Sequence, residues 1–166
     1  MKKSILIISA SIFVLISCQK APKPGETSAV KMANEWWVTL DQPGQPDVFG
    51  IGHLRILTYN TSTNDNQLWV DDDKQGYGFK VKTTADYTNL TFVSAAAAAN
   101  EYFVPGSTSF PATVILTEGK IFSKTAHSKA GNIADSIHMK LEFSDDPGTI
   151  YEMNGVERTR FPQDDY

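Results

Sequence analysis

Residues 137–143 read Ile137-His138-Met139-Lys140-Leu141-Glu142-Phe143, with apolar and polar side chains at alternate positions. Successive side chains of a strand point to opposite faces, so this period of two predicts a strand with one buried face. Residues 77–84 repeat the pattern, with Lys80 and Lys82 on the polar face. One buried and one solvated face is typical of an antiparallel sheet. We therefore expect six side chains from these two runs in the core: Tyr77, Phe79, Val81, Met139, Leu141 and Phe143.

The remaining chain from residue 36 onward is a series of short strand-like runs between turn signals. Strands are predicted at residues 36–41, 51–61, 67–70, 90–93, 113–117, 120–126, 149–153 and 156–161. Hairpin turns are predicted at Glu118-Gly119 and at Asn154-Gly155, because Asn-Gly readily takes the positive φ of a two-residue turn. Residues 29–35 predict one short helix capped by Ser28. The alanine-rich residues 94–102 could form a helix that closes one end of the fold.

These elements predict an all-β domain with one or two short helical turns. So many strands in one small domain must close into a barrel or pack as a sandwich. The links are mostly hairpins and the strands follow one another as a meander. We therefore favour a small antiparallel β-barrel.

The N-terminus has the layout of a secretory signal, with Lys2 and Lys3 followed by an apolar run over residues 5–16. That run is too short for a spanning helix, which needs about 20 apolar residues. The run ends in Leu15-Ile16-Ser17-Cys18, which resembles the lipobox that signal peptidase II cleaves before the cysteine. We expect removal of residues 1–17 and lipidation of Cys18, with the lipid chains holding the protein on a membrane. An ordinary secreted protein is the alternative.

The mature chain is predicted to have two parts. Residues 18–28 comprise the lipidated cysteine and a flexible linker with two prolines and a glycine. Residues 29–166 form a single β-barrel domain. Gln19 is not the aspartate associated with inner-membrane retention, which predicts the outer membrane. The linker lacks a dense acidic run, which favours the periplasmic face over the cell surface.

Charge and cysteine content exclude several classes of partner. Removal of Lys2 and Lys3 lowers the formal net charge from −4 to −6. An acidic domain argues against nucleic acid and against electrostatic docking on anionic lipid. Cys18 is the only cysteine, so neither a disulfide nor a cysteine metal site is expected. We expect no cofactor.

One motif suggests a metal site and another suggests a catalytic site, and neither motif is complete. Residues 71–76 match the first half of a calcium loop, but the twelfth position is Lys82 where a glutamate is needed. A solvated turn is therefore favoured there.

His127, Asp135 and a serine could in principle form a hydrolytic triad. No Gly-x-Ser-x-Gly elbow supports it, so an enzyme is less favoured than a binding protein.

Two arginines near the end of the sequence suggest a ligand site. A two-residue turn at Asn154-Gly155 would pair Tyr151 with Arg158, and paired residues share a face. Glu152 and Glu157 would then occupy the solvent face. The inner face would hold Tyr151, Arg158 and Arg160 as donors to the carboxylate of a fatty-acid-like ligand. The alternative is that both arginines extend to the barrel rim.

The lipobox and two further stretches resemble a known family. The stretches are Glu35-Trp36-Trp37-Val38-Thr39-Leu40-Asp41 and Gly155-Val156-Glu157-Arg158-Thr159-Arg160-Phe161. They look like the Bacteroidetes family called lipid-binding putative hydrolase. That family is similar to calycin or lipocalin-like β-barrels, which carry hydrophobic ligands. The resemblance implies a barrel, a lipoprotein and lipid binding, and it supplies no catalytic residues.

The sequence therefore predicts an outer-membrane lipoprotein that binds a fatty acid or another apolar small molecule in a β-barrel. A lipid or ester hydrolase is one alternative. An accessory or structural envelope protein with a solid barrel is another. A cavity in the barrel would separate the first prediction from the last.

Overall fold

A computed structural model of the chain describes residues 27–94 and 96–166. The predicted signal peptide, Cys18 and the linker as far as residue 26 lie outside the described residues. The strands are β1 (Asn34–Asp41), β2 (Leu54–Asn60), β3 (Gln67–Asp71), β4 (Lys80–Asp86), β5 (Thr91–Val93), β6 (Ala98–Ala99), β7 (Thr113–His127), β8 (Ile133–Phe143) and β9 (Asp146–Glu157). A 3-10 helix covers Pro162–Asp164.

Eight of these strands form a closed antiparallel barrel. The order around the barrel is β5-β4-β3-β2-β1-β9-β8-β7, and β5 pairs with β7 to close it. The short strand β6 adds two pairs to the beginning of β7. Neighbours in the barrel are neighbours in the chain except at β1–β9 and at β5–β7. The prediction of an all-β antiparallel meander closing into a small barrel is confirmed.

The barrel interior is filled by side chains. Five of the six predicted core residues are buried, and Tyr77 is half-buried. Lys80 and Lys82 lie on the outer face, as predicted. Val38, Ile56, Val70 and Met139 have no accessible surface at all. A ligand-sized cavity would leave accessible area on the residues lining it, so the described core holds no such cavity. Eight-stranded barrels are just narrow enough for side chains to fill.

The predicted hairpin at Asn154-Gly155 is wrong. Both residues lie within β9, and neither has the positive φ of a type I′ turn. The observed β8–β9 turn is at residues 144–145, next to the Phe143↔Asp146 pair. A Cβ at position 155 would overlap the carbonyl oxygen of Trp37. Glycine is therefore present because β1 and β9 approach closely, and the chain does not reverse there.

The predicted hairpin at Glu118-Gly119 is wrong for a related reason. These residues lie within β7 at a register shift between Thr117 and Lys120. A Cβ at position 119 would overlap the carbonyl oxygen of Phe92 in β5. A bulge and a close strand contact account for this glycine.

The predicted helices also differ from the structure. Residues 28–32 form a turn, and β1 begins at Asn34, earlier than expected. The Ser28 hydroxyl bonds to the loop at residues 64–65 and does not cap a helix. Ala98 and Ala99 form β6. Among the described residues, none lies in a helix long and apolar enough to cross a membrane.

The meander gives the barrel two distinct ends. The first, which we call the mouth end, consists of loops 42–53, 72–79, 100–112 and 144–145, together with Ser94 and residues 96–99, which include β6. The second, which we call the N-terminal end, consists of segments 27–33, 61–66, 87–90, 128–132 and 158–166. Ala29 and Met32 are fully buried against the core at the N-terminal end and seal it.

Candidate functional site

A cluster of aromatic and aliphatic side chains surrounds the opening at the mouth end. We call it the aromatic mouth and define it as Phe49, Ile51, Tyr77, Phe143 and Tyr151. Phe49 and Ile51 are 51% and 48% exposed. A pocket of about 300 Å³ is lined by Phe49, Ile51, Gln75, Gly76 and Tyr77. This volume lies at the lower end of the range for small-molecule sites.

The loop over residues 42–53 holds the two exposed side chains in place. The Asp47 carboxylate accepts hydrogen bonds from the main-chain N–H groups of Ile51 (2.9 Å) and Gly52 (3.0 Å). Its own N–H donates to the Asp41 carboxylate at 2.8 Å, which ties the loop to the end of β1. Gly50 takes a positive φ of 64°, which favours glycine. The exposed apolar side chains are therefore set by ordered turns.

An aromatic stack connects the opening to the core. The Phe49 ring stacks on Tyr151 with centroids 5.9 Å apart. Tyr77 lies flat on Phe143, with centroids 3.7 Å apart and an interplanar angle of 6°. Phe143 in turn packs against the fully buried Phe79, with ring centroids 5.7 Å apart. The stack packs the exposed Phe49 ring continuously onto the core, and its inner rings, Phe143 and Phe79, are 1% and 0% exposed.

The polar edge of the mouth carries carboxylates. The Tyr151 hydroxyl donates to the Asp146 carboxylate at 2.7 Å. Burial, followed by this hydrogen bond, raises the pKa of Tyr151. Burial and then the nearby Asp145 raise the pKa of Tyr77. Both phenols therefore stay protonated at neutral pH, beside a rim that is negatively charged.

A buried aspartate forms the turn under the mouth. The Asp72 side chain accepts main-chain hydrogen bonds from Lys74 (3.0 Å), Gly78 (2.7 Å) and Phe79 (2.9 Å). Burial raises its pKa, and those hydrogen bonds oppose the rise. Residues 72–79 therefore form the turn between β3 and β4. A turn is present as predicted, but Asp71 lies in β3 and both Asp71 and Asp72 are buried, so the prediction that these two carboxylates are solvated is wrong. No group of three potential metal ligands occurs in the described part of the chain.

The structure separates the three predicted ligand-binding residues. Tyr151 lies in the barrel and pairs with Leu141 of β8, so the predicted pairing of Tyr151 with Arg158 is wrong. Arg158 lies on the outer face, where its guanidinium bonds to Glu35 at 2.6 Å and to Asp165 at 2.8 and 2.9 Å. Arg160 is 67% exposed at its side chain and lies 3.7 Å from Glu35.

The placement of the arginines follows from the continuous strand. Without a turn at Asn154-Gly155, residues 151 and 158 belong to one extended segment and are separated by an odd number of positions. Side chains at odd separations point to opposite faces of a strand. The inner face therefore ends with Tyr151 and Met153, and Arg158 points outward. A ligand role for Arg158 and Arg160 stays a prediction, without the shared inner face that suggested it.

The residues of the suggested triad are not brought together. Asp135 accepts hydrogen bonds from the Ser123 hydroxyl (3.1 Å) and from the Lys124 N–H (2.7 Å). His127 ends β7, where it pairs with Ile133. Asp135 therefore stabilises the bulge of β7 next to Ser123.

A family comparison agrees with this architecture. The family model described as lipid-binding putative hydrolase matches residues 21–162. The chain belongs to this family. A search of curated proteins found none that matches it. The description of the lipid-binding family and the closed β-barrel together support lipid binding.

Proposed function

We propose that the protein is a cell-envelope lipoprotein that binds the acyl chain of a small lipid at its aromatic mouth. The observation that carries the proposal is the exposure of Phe49 and Ile51 directly above an aromatic stack that runs into the core. Burial of exposed apolar area is the main source of affinity for such a ligand. The filled interior favours the solid barrel of the accessory-protein alternative over a ligand held inside the barrel. The proposal therefore places the ligand in the pocket at the mouth.

The rim of the mouth favours a neutral head group. Asp145 and Asp146 flank the two phenols, and the predicted cationic partners, Arg158 and Arg160, lie at the opposite end of the barrel. A free carboxylate would be repelled by the rim. An uncharged ester or alcohol can accept or donate a hydrogen bond without that repulsion. We therefore expect a monoacylglycerol to bind more tightly than the fatty acid of the same chain length.

Titration of the unlipidated chain from Gln19 onward tests this site. The wild type should bind monoacylglycerol saturably, and Phe49→Ala should weaken binding about tenfold, since loss of a partly buried phenyl contact removes about 1.4 kcal/mol or more. Phe161→Ala is the matched control, because Phe161 is a 58% exposed phenylalanine at the opposite end of the barrel. Absence of saturable binding by the wild type would contradict the function. Equal losses in the two variants would contradict the site.

The location in the cell forms part of the proposal. Leu15-Ile16-Ser17-Cys18 supports lipidation of Cys18, and Gln19 supports the outer membrane, with the domain on its periplasmic face. Cys18→Ala should move the protein from the membrane pellet to the soluble fraction. A variant that stays in the pellet would show that the anchor is not this cysteine.

A further inference from the structure

We propose that the N-terminal end of the barrel rests on the bilayer that holds the lipid anchor, and that the aromatic mouth faces away from it. The inference rests on the proposed anchor at Cys18 and adds an orientation and a contact surface. Val30, Ile133 and Phe161 form the apolar part of that surface, and Lys31 and Arg160 form its basic part.

The position at which the domain begins is the first observation. The Ser28 N–H donates to the Asn64 side chain at 2.8 Å, and the Ser28 hydroxyl donates to the Asp65 carbonyl at 3.0 Å. These bonds fix the first described residues to the N-terminal end of the barrel. Residues 19–26 join this point to Cys18. A fully extended chain spans at most about 3.6 Å per residue, and Ser28 is ten positions after Cys18, so this end stays within roughly 36 Å of the anchor.

Exposed apolar side chains at that same end are the second observation. Val30, Ile133 and Phe161 are 50%, 68% and 58% exposed. Asp164 accepts hydrogen bonds from the Ala130 N–H (2.7 Å) and the Asn132 amide (3.4 Å), which holds segments 128–132 and 158–166 together. Ile133 and Phe161 therefore lie next to two segments that are bonded to each other, and both expose apolar side chains of the kind that enter a membrane interface.

Charge distinguishes the two ends, because the mouth end also exposes large apolar residues. The loops of the mouth end hold five acidic residues and one lysine: Asp47, Asp72, Asp73, Glu101, Asp145 and Lys74. The segments of the N-terminal end hold four basic and three acidic residues: Lys31, Lys129, Arg158, Arg160, Asp65, Asp164 and Asp165. The overall net charge of the mature chain, −6 after removal of Lys2 and Lys3, conceals this asymmetry. Arg158 and Arg160 lie beside the Glu35 carboxylate, just outside these segments, so the N-terminal end is not strongly basic. An anionic bilayer therefore repels the mouth end more strongly than the N-terminal end.

Depth-dependent quenching on the full lipidated protein tests the orientation. Cys18 is the only cysteine and carries the lipid, so one introduced thiol takes the label. Ile133→Cys and Phe161→Cys report on the N-terminal end, and Val104→Cys and Thr108→Cys report on exposed positions of the mouth end. Each variant carries an environment-sensitive fluorophore and is reconstituted into phosphatidylcholine–phosphatidylglycerol vesicles with nitroxide-labelled acyl chains. We expect quenching at positions 133 and 161 and none at 104 and 108. Quenching at the mouth positions, equal quenching at both ends, or none at any position would overturn the proposal.

A charge reversal and a flotation assay separate this inference from the anchor and the ligand site. Lys31→Glu combined with Arg160→Glu should reduce quenching at position 133 while the protein still floats with the vesicles. Lys74→Glu at the mouth end is the control and should leave that quenching unchanged. Equal quenching in both variants would show that Lys31 and Arg160 do not contribute to the membrane contact. Loss of flotation in the parent protein would contradict the anchor itself, and ligand titration without vesicles is independent of both results.

Discussion

The two ends of the barrel are built differently. At the mouth end, aromatic side chains run from solvent to the core, and the phenols of Tyr77 and Tyr151 lie beside carboxylates. At the N-terminal end, Met32 seals the core, and Thr58 accepts a hydrogen bond from the Trp36 indole at 2.8 Å while donating to the Met32 carbonyl. Both ends are thus held by buried polar bonds, but fully buried side chains close the core at the N-terminal end, whereas Phe49 and Ile51 stay exposed beside a pocket at the mouth end.

The largest expected difference between the ends is in stability after truncation of an apolar side chain. Met32→Ala removes a fully buried side chain and should lower the free energy of unfolding by about 2–5 kcal/mol. Phe49→Ala at the mouth should lower it by less than about 1 kcal/mol, because Phe49 is half exposed. Urea denaturation of both variants measures the contrast. Equal losses of unfolding free energy would mean that Phe49 contributes as much to the core as Met32.

A smaller effect is expected from the outer ion pairs near the N-terminal end. Arg158→Met breaks the bonds to Glu35 and Asp165 and should reduce stability by about 1–2 kcal/mol, since solvent partly screens these pairs. Arg160→Met should have almost no effect, because its side chain is largely exposed. Neither change should alter ligand affinity at the mouth. Weaker lipid binding by Arg158→Met at unchanged stability would restore the arginine to the ligand site.

The smallest effect expected is a dependence on pH that differs between the ends. Hydrogen bonds from Ser128 and Thr159 lower the pKa of Asp164 from 3.8 to about 2. A lowered carboxyl pKa gives stability above the unfolded value that is lost as the pH falls. The contribution of Asp164 therefore disappears between about pH 4 and pH 2. Burial raises the pKa of Asp72 at the mouth, so its protonation in acid favours the folded state.

The urea midpoint of Asp164→Asn, measured from pH 6 to pH 2, checks this sign. As the pH falls from about 4 to 2, the variant should lose less stability than the wild type. Parallel curves would show that the hydrogen bonds around Asp164 contribute no pH dependence.

Side-chain alternation predicted the strands well, and turn chemistry predicted the hairpins poorly. The period of two over residues 137–143 identified the buried face of β8 because that face is set by local geometry. Gly119 and Gly155 were interpreted as turn residues. Their role depends on carbonyl groups of β5 and β1, which are distant in sequence. A single sequence does not reveal which distant strand approaches a glycine.

In the candidate site, too, local alternation gave a correct prediction and turn chemistry gave a wrong one. Tyr151 was correctly placed inside the barrel, since both the false hairpin and the real strand put it on the same face as Met153. Arg158 was placed inside only through the false turn. Phe49 and Ile51 were not singled out, although apolar residues interleaved with Gly50 and Gly52 in a turn-rich segment are a signal of exposed hydrophobic groups.

The pairing of β1 with β9 has a consequence for folding kinetics. This ladder joins the two ends of the domain, and the hydrogen-bonded side chains of Asn34 and Glu157 are 123 positions apart in the chain. Loop closure over such a separation is entropically unfavourable, and all-β chains with distant contacts fold in milliseconds to seconds. Until β9 is available, β1 and β8 each present an unpaired edge to neighbouring molecules. A chain shortened by its last strand should therefore aggregate as an open sheet, because removing that strand opens the barrel along its whole length.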